Sequence, residues 1–177
     1  MNRVRSASMA LLTAASLSAV CIAALTRPAS AAPPSDYHDA VGTLWSRSLP
    51  DTSGTSQPLA QYRGRTVVLN FWASWCGPCV KEMPALSDLQ RRYAQKGVQF
   101  VGIGIDSAQN VTQFLEKVKV DYPIYVAGFG GTDIARLFGN TTGGLPFTVL
   151  IDKTGRVRYT KLGEIDAATL GAQLNLL

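Results

Sequence analysis

Cysteine and histidine are scarce in this 177-residue chain, which holds only Cys21, Cys76, Cys79 and His38. A closed zinc site needs about four Cys, His or acidic ligands. Only Cys21 and His38, both far upstream, could join Cys76 and Cys79, so the count speaks against zinc. His38 has no acidic or cysteine pattern beside it and reads as a surface residue. Runs of like charge are missing too. Arg91-Arg92 is a solvated helix face rather than a basic patch, which leaves no footprint for nucleic acid. Gly102-x-Gly104 lacks a third glycine and falls inside an apolar run, so it is no dinucleotide signature. Gly143-Gly144 relieves backbone crowding before Pro146 rather than cradling a phosphate. No internal repeat is present, and residues 1–31 hold no adjacent arginine pair to mark a folded-export signal. No cofactor is implied.

What the N-terminus does carry is a basic start, Arg3 and Arg5, and an Ala/Leu-rich stretch from about Ala7 to Leu25. Pro28 and the triplet Ala29-Ser30-Ala31 follow. This pattern predicts a secretory signal peptide over residues 1–31 and an exported, periplasmic protein. The alternative is a retained membrane anchor facing the periplasm, which Thr13, Ser16 and Ser18 disfavour by interrupting the apolar run. Cys21 lacks the small residue before it and the Leu three before it that a lipoprotein signal shows; Val20 and Ser18 stand there. Removing residues 1–31 takes away Arg3, Arg5 and Arg27 and no acid, so the formal charge falls from +5 to +2. The remaining 146 residues suffice for one domain with a sizeable core. They keep two cysteines, both in Trp75-Cys76-Gly77-Pro78-Cys79.

In an exported protein an isolated Cys-x-x-Cys pair reads as catalytic rather than as scaffold. The thiolate is the reactive species, and a free cysteine, with a pKa of roughly 8.5, is mostly protonated at neutral pH. A helix starting at Gly77-Pro78 aims its unpaired N–H groups and positive dipole end at Cys76, favouring that thiolate. Pro78 suits the first turn because it has no N–H to leave unpaired. Cys79, about one turn on, is placed to attack a mixed disulfide held on Cys76. Cys76 is therefore assigned as nucleophile and Cys79 as resolving thiol. A static disulfide is the other reading, but so short a loop constrains the unfolded chain little.

Hydropathy patterning predicts an α/β chain. Residues 32–58, rich in Pro, Ser, Thr and Gly, form an N-terminal extension with a short helix or loop over His38–Trp45 and a hairpin-like approach over Ser48–Leu59. Residues 59–177 form the main domain. Thr66–Trp72 is a strand buried on both faces. Pro78 to about Gln95 is a helix with Met83, Leu86, Leu89 and Tyr93 on its buried face, kinked at Pro84 and ended by Gly97. Val98–Ile105 is a second buried strand. Val111–Val118 and Asp133–Phe138 are helices, the first starting near Asn110, and Tyr122–Val126 is a short strand. Thr148–Ile151 and Val157–Leu162 are strands joined by a turn at Asp152–Gly155. Asp166 caps a last helix to about Leu174. These elements make a central mixed β-sheet with helices on both faces.

The segment Val68-Leu69-Asn70-Phe71-Trp72-Ala73-Ser74-Trp75-Cys76-Gly77-Pro78-Cys79 resembles the active-site strand and loop of the thioredoxin superfamily. Glu82-Met83-Pro84, Val101-Gly102-Ile103-Gly104-Ile105-Asp106 and Gly144-Leu145-Pro146-Phe147-Thr148-Val149-Leu150-Ile151-Asp152 resemble its exported TlpA/ResA-like branch. The resemblance runs from about Leu59 to Leu174 and implies a thioredoxin-like fold. It implies that Pro146 is a cis-proline beside the dithiol, with the Leu145 backbone free to pair with an extended substrate; a trans loop-proline is the alternative. Trp75 flanks Cys76 as apolar docking surface, while Trp72 and Phe71 are equally explained as core. Asn70 stands where thioredoxin carries a buried aspartate, and it cannot take a proton from Cys79. Glu82, three residues after Cys79, matches the acidic residue of the TlpA/ResA-like branch and is expected to tune the pair and assist proton transfer. The other reading of Glu82 is a solvated first-turn glutamate favoured by the dipole.

The expected function is an exported thiol–disulfide oxidoreductase that reduces protein disulfides, with cytochrome c maturation among the roles the resemblance implies. Its partners would be protein disulfides and a membrane thiol electron donor, and the chain is expected to be a monomer. The runner-up is an exported oxidant that inserts disulfides. A peroxidase would want a hydroxyl three residues before Cys76, where Ala73 stands. A copper carrier could use the dithiol, but no downstream histidine completes the site.

Overall fold

The computed structural model describes residues 37–177; the expected signal segment 1–31, and residues 32–36 after it, lie outside the described residues. The chain starts with helix α1 (His38–Trp45), a two-stranded hairpin of β1 (Ser48–Pro50) and β2 (Ser56–Pro58), and a 3₁₀ turn at Leu59–Tyr62. β3 (Thr66–Trp72), α2 (Gly77–Tyr93), β4 (Val98–Gly104), α3 (Ala108–Lys117), β5 (Ile124–Val126) and α4 (Gly130–Leu137) follow. The hairpin β6 (Phe147–Ile151) and β7 (Val157–Leu162) and helix α5 (Ala167–Leu174) complete it.

Five strands form one mixed sheet in the order β5-β4-β3-β6-β7. β3, β4 and β5 are parallel, β6 runs against β3, and β7 runs against β6. β3 is thus the central strand, and every residue from Val67 to Trp72 is buried. That explains its near-continuous apolar run, since both faces need apolar partners. Successive side chains point to opposite faces. Val67, Leu69 and Phe71 pack with Leu44 and Trp45 of α1 and Ile134 of α4. Val68 and Trp72 pack with Met83, Leu86 and Leu89 of α2, Val111 of α3 and Leu170 of α5. Helices therefore cover both faces, as the patterning predicts. α1 and the 3₁₀ turn that follow the N-terminal segment belong to the same core, because Ala40, Val41, Leu59 and Tyr62 are buried in it.

Some element ends differ from the sequence reading. α3 begins at Ala108 rather than near Asn110, because the Ser107 hydroxyl accepts the Asn110 N–H at 3.1 Å and caps the helix earlier. α4 begins at Gly130, so its first turn holds two glycines that propensity alone would place in a loop. α2 ends at Tyr93, with a 3₁₀ turn over Ala94–Lys96 closed by Gly97 at φ 79°. It runs through Pro84 without a break. Met83, Leu86, Leu89 and Tyr93 lie on its buried face as expected, and His38 is exposed.

Candidate active site

The site sits where β3 hands over to α2, at the carboxyl edge of the parallel strands. The loop is held from two sides. The Ile105 N–H donates to the Trp72 carbonyl at 2.7 Å, and Asp106 Oδ2 accepts from the Ser74 N–H and hydroxyl at 3.1 and 2.6 Å. Asp106 Oδ1 accepts from the Ser107 N–H and the Asn110 amide at 2.7 and 2.8 Å. Burial pushes the Asp106 carboxyl up, but the donors from Ser74, Asn110 and Ser107 outweigh it and hold the group below the ordinary carboxylate range. The loop-pinning role of Asp106 depends on Ser74, which lies 32 residues away, so no local pattern reveals it.

Cys76 and Cys79 form a disulfide. Cys76 is the N-cap of α2, and its sulfur accepts the Cys79 N–H at 3.3 Å, which puts it at the positive end of the helix dipole as expected. Cys76 is 6% exposed and Cys79 is fully buried, so the first is the sulfur a partner can reach. Trp75 beside it is 68% exposed. Gly77 and Pro78 are also exposed, forming the open first turn. The Leu145–Pro146 bond is cis, and Leu145 packs against both halves of the core. Among the described residues, the Leu145 N–H and carbonyl make no hydrogen bond.

Behind the sulfurs lies a buried polar group that interrupts the apolar face. Glu82 is only 3% exposed. One of its oxygens accepts the Asn70 amide at 2.7 Å and the other accepts the Ile165 N–H at 2.9 Å. Burial pushes the Glu82 carboxyl up to about 7; the two donors from Ile165 and Asn70 oppose that shift, and nearby Glu164 adds to it. The reading of Glu82 as a solvated first-turn residue is therefore corrected: its position on α2 turns it toward the sheet, with Cys79 one turn before it. Asn70, on the same face of β3, also donates to the Thr148 hydroxyl at 3.2 Å across the β3–β6 pair. Among the described residues, Asn70 Oδ1, Trp72 Nε1 and the Tyr122 hydroxyl are buried without a hydrogen-bond partner. Burial, and the charge of Glu82, push the Tyr122 hydroxyl above its ordinary range. Thr148, Ile165 and Tyr122 escaped the sequence reading, because each reaches the site only through strand pairing or chain return. No group of three His, Cys, Asp or Glu side chains among the described residues is placed to hold a metal ion.

Chemically, the arrangement presents one reachable sulfur, one buried sulfur and a carboxyl that titrates near neutrality. That is the equipment for two-step thiol–disulfide exchange with a local proton acceptor.

Comparison with known proteins agrees with this geometry. Residues 29–174 match the Redoxin family. Over 111 residues, 62% of the chain, the sequence is 36% identical to the thiol-disulfide oxidoreductase ResA of Geobacillus thermodenitrificans (strain NG80-2), and it spans 62% of that protein's length. It is 30% identical to ResA of Bacillus subtilis (strain 168) over 73% of this chain and 70% of that one. Among solved structures, a thioredoxin-related protein from Neisseria meningitidis serogroup B superposes with a TM-score of 0.62 at 38% identity, over 70% of this chain and 92% of the other. The fold is thioredoxin-like.

Proposed function

Because the chain belongs to the Redoxin family, with ResA proteins among its relatives, we propose that it is an exported thiol–disulfide oxidoreductase that reduces protein disulfides. The observation that carries this reading is the Cys76–Cys79 disulfide at the N-terminus of α2, with Glu82 buried one turn behind it. The Cys76 thiolate attacks one sulfur of a partner disulfide. That bond breaks, the Cys76–partner bond forms, and the displaced partner thiolate takes up a proton. The Cys79 thiol then loses its proton to the Glu82 carboxylate and attacks the Cys76 sulfur. The Cys76–Cys79 bond forms and the second partner thiolate leaves, so two electrons have passed to the partner. A carboxyl titrating near 7 suits this task, because a base works best with a pKa near the operating pH.

Export is supported by the signal-like pattern of residues 1–31. Among the described residues no helix is long and apolar enough to cross a membrane. A membrane thiol donor would return the disulfide to the dithiol, and the clients would be exported thiol proteins, those of cytochrome c maturation among them. Trp75, Leu145 and Pro146 form the docking edge, and the protein works as a monomer.

Trapping tests the mechanism and the clients together. A Cys79→Ser variant accumulates mixed disulfides on Cys76, which mass spectrometry identifies. Normal turnover by that variant would remove the two-cysteine mechanism. The direction of electron flow is read from the reduction potential: a value near roughly −120 mV would make the protein an oxidant instead.

A further inference from the structure

The geometry points to a second docking contact for a polypeptide partner, made by Phe129 in the glycine-flanked turn Gly128–Gly131. The inference rests on the disulfide-reducing function proposed above and extends its substrate surface. Five large hydrophobic side chains are exposed among the described residues: Trp75, Phe129, Leu162, Leu176 and Leu177. The last two end the chain. The other three share one edge of the sheet, because β3, β5 and β7 all run in the same direction and Trp75, Phe129 and Leu162 lie at or just beyond their carboxyl ends.

Phe129 is 89% exposed, the most exposed of the five. Its turn is nonetheless held against the sheet. A Cβ on Gly131 would lie 2.8 Å from Ile105 Cγ1, so only glycine lets the turn approach that closely. Gly128 turns the chain with φ 55°. The backbone is thus pinned while the ring is turned outward.

The turn continues into the dithiol surface. Thr132, in the first turn of α4, has its Cγ2 3.3 Å from the Cβ position of Gly143, and Leu162 Cδ1 lies 3.0 Å from that of Gly144. These two glycines lead into Leu145–Pro146, so Phe129 and Leu162 flank the loop beside the disulfide. Two strand spacings separate β5 from β3, and two separate β7 from β3. At about 4.8 Å per spacing, the three apolar groups span roughly 20 Å. A small disulfide molecule cannot touch both ends. An extended polypeptide can, and it alone could also pair with the free N–H and carbonyl of Leu145, which a lipid surface could not use.

The test uses the full-length protein in its reduced form, in stopped-flow exchange with three probes. The probes are a disulfide-bonded peptide with leucines flanking its cysteines, the same peptide with glycines there, and hydroxyethyl disulfide. Phe129→Ser is expected to slow exchange with the leucine peptide roughly five- to tenfold, the scale of losing one partly buried aromatic contact. Rates with the glycine peptide and hydroxyethyl disulfide stay at the wild-type value. Phe129→Leu retains most of the leucine-peptide rate, and Leu176→Ser changes none of the three. Equal slowing of all probes, or of none, overturns the inference while leaving the oxidoreductase function standing. A wild-type dimer that Phe129→Ser converts to monomer overturns it as well, by giving the patch to a second copy. A wild-type protein inert toward all three probes overturns the oxidoreductase function and this inference together.

Discussion

On one face of the sheet, Val67, Leu69 and Phe71 of β3 meet α1 and α4 through apolar packing, closed by a Tyr62–Tyr125 hydroxyl pair at 2.6 Å. On the other face, Val68, Asn70 and Trp72 of the same strand meet α2, α3 and α5, and there Asn70, Glu82 and Thr148 lie buried behind Cys79. One strand supplies both faces, and the alternation of its side chains separates packing from chemistry. The first face can be optimised for density alone. The second keeps a carboxyl in a place where burial works against its charge, and that cost is what brings its proton affinity near neutrality.

The comparison breaks most sharply at the cysteines. Cys76→Ser is expected to abolish disulfide exchange entirely while leaving thermal unfolding of the reduced protein close to that of reduced wild type, as activity assays and calorimetry would read. Leu69→Ala, on the opposite face, should do the reverse. It opens a cavity at a 1% exposed position and costs roughly 2–5 kcal/mol of stability, measured by urea unfolding, with the exchange rate of the folded protein retained. Loss of exchange in folded Leu69→Ala would mean the two faces are not separable.

Glu82 sharpens the contrast through pH. Its folded-state pKa of about 7 lies above the ordinary 4.5, so the folded chain holds this proton more tightly than the unfolded chain does. The contribution to stability is full below about pH 4.5 and is lost as pH rises through about 7. Its size is on the order of 2–3 kcal/mol. Glu82→Gln should remove this dependence from the oxidised protein and flatten the resolving step's pH–rate profile near 7. An unchanged profile would reduce Glu82 to a packing residue. The smallest effect is expected at the rim: Ser107→Ala removes the α3 cap and costs about 1 kcal/mol, with exchange kinetics unchanged.

Much of the fold was legible because its signals are local. The apolar run of β3, the spacing of Met83, Leu86, Leu89 and Tyr93, and the turn at Asp152–Gly155 each follow from neighbours a few residues apart. The ends of α3 and α4 were misjudged for the same reason turned around. Ser107 caps through a hydrogen bond that competes with other local bonds, and Gly130-Gly131 is helical because Gly131 packs against Ile105, not because glycine favours helix. At the site, Cys76, Cys79, Trp75, Leu145 and Pro146 were named from motif and resemblance, and the structure brings them to one edge. Asn70 and Glu82 were both named beforehand, but not as partners.

By itself the sequence determined the reaction class and its two sulfurs, because Cys-x-x-Cys at a helix start is a short-range arrangement whose chemistry travels with it. It also determined which β3 side chains share a face, since strand alternation is a property of the chain alone. Tertiary structure decided the rest. Glu82 becomes a neutral-pH carboxyl only once the sheet, Asn70 from β3 and the returning Ile165 backbone enclose it. Burial and long-range hydrogen bonds set a proton affinity, and neither exists until distant segments meet.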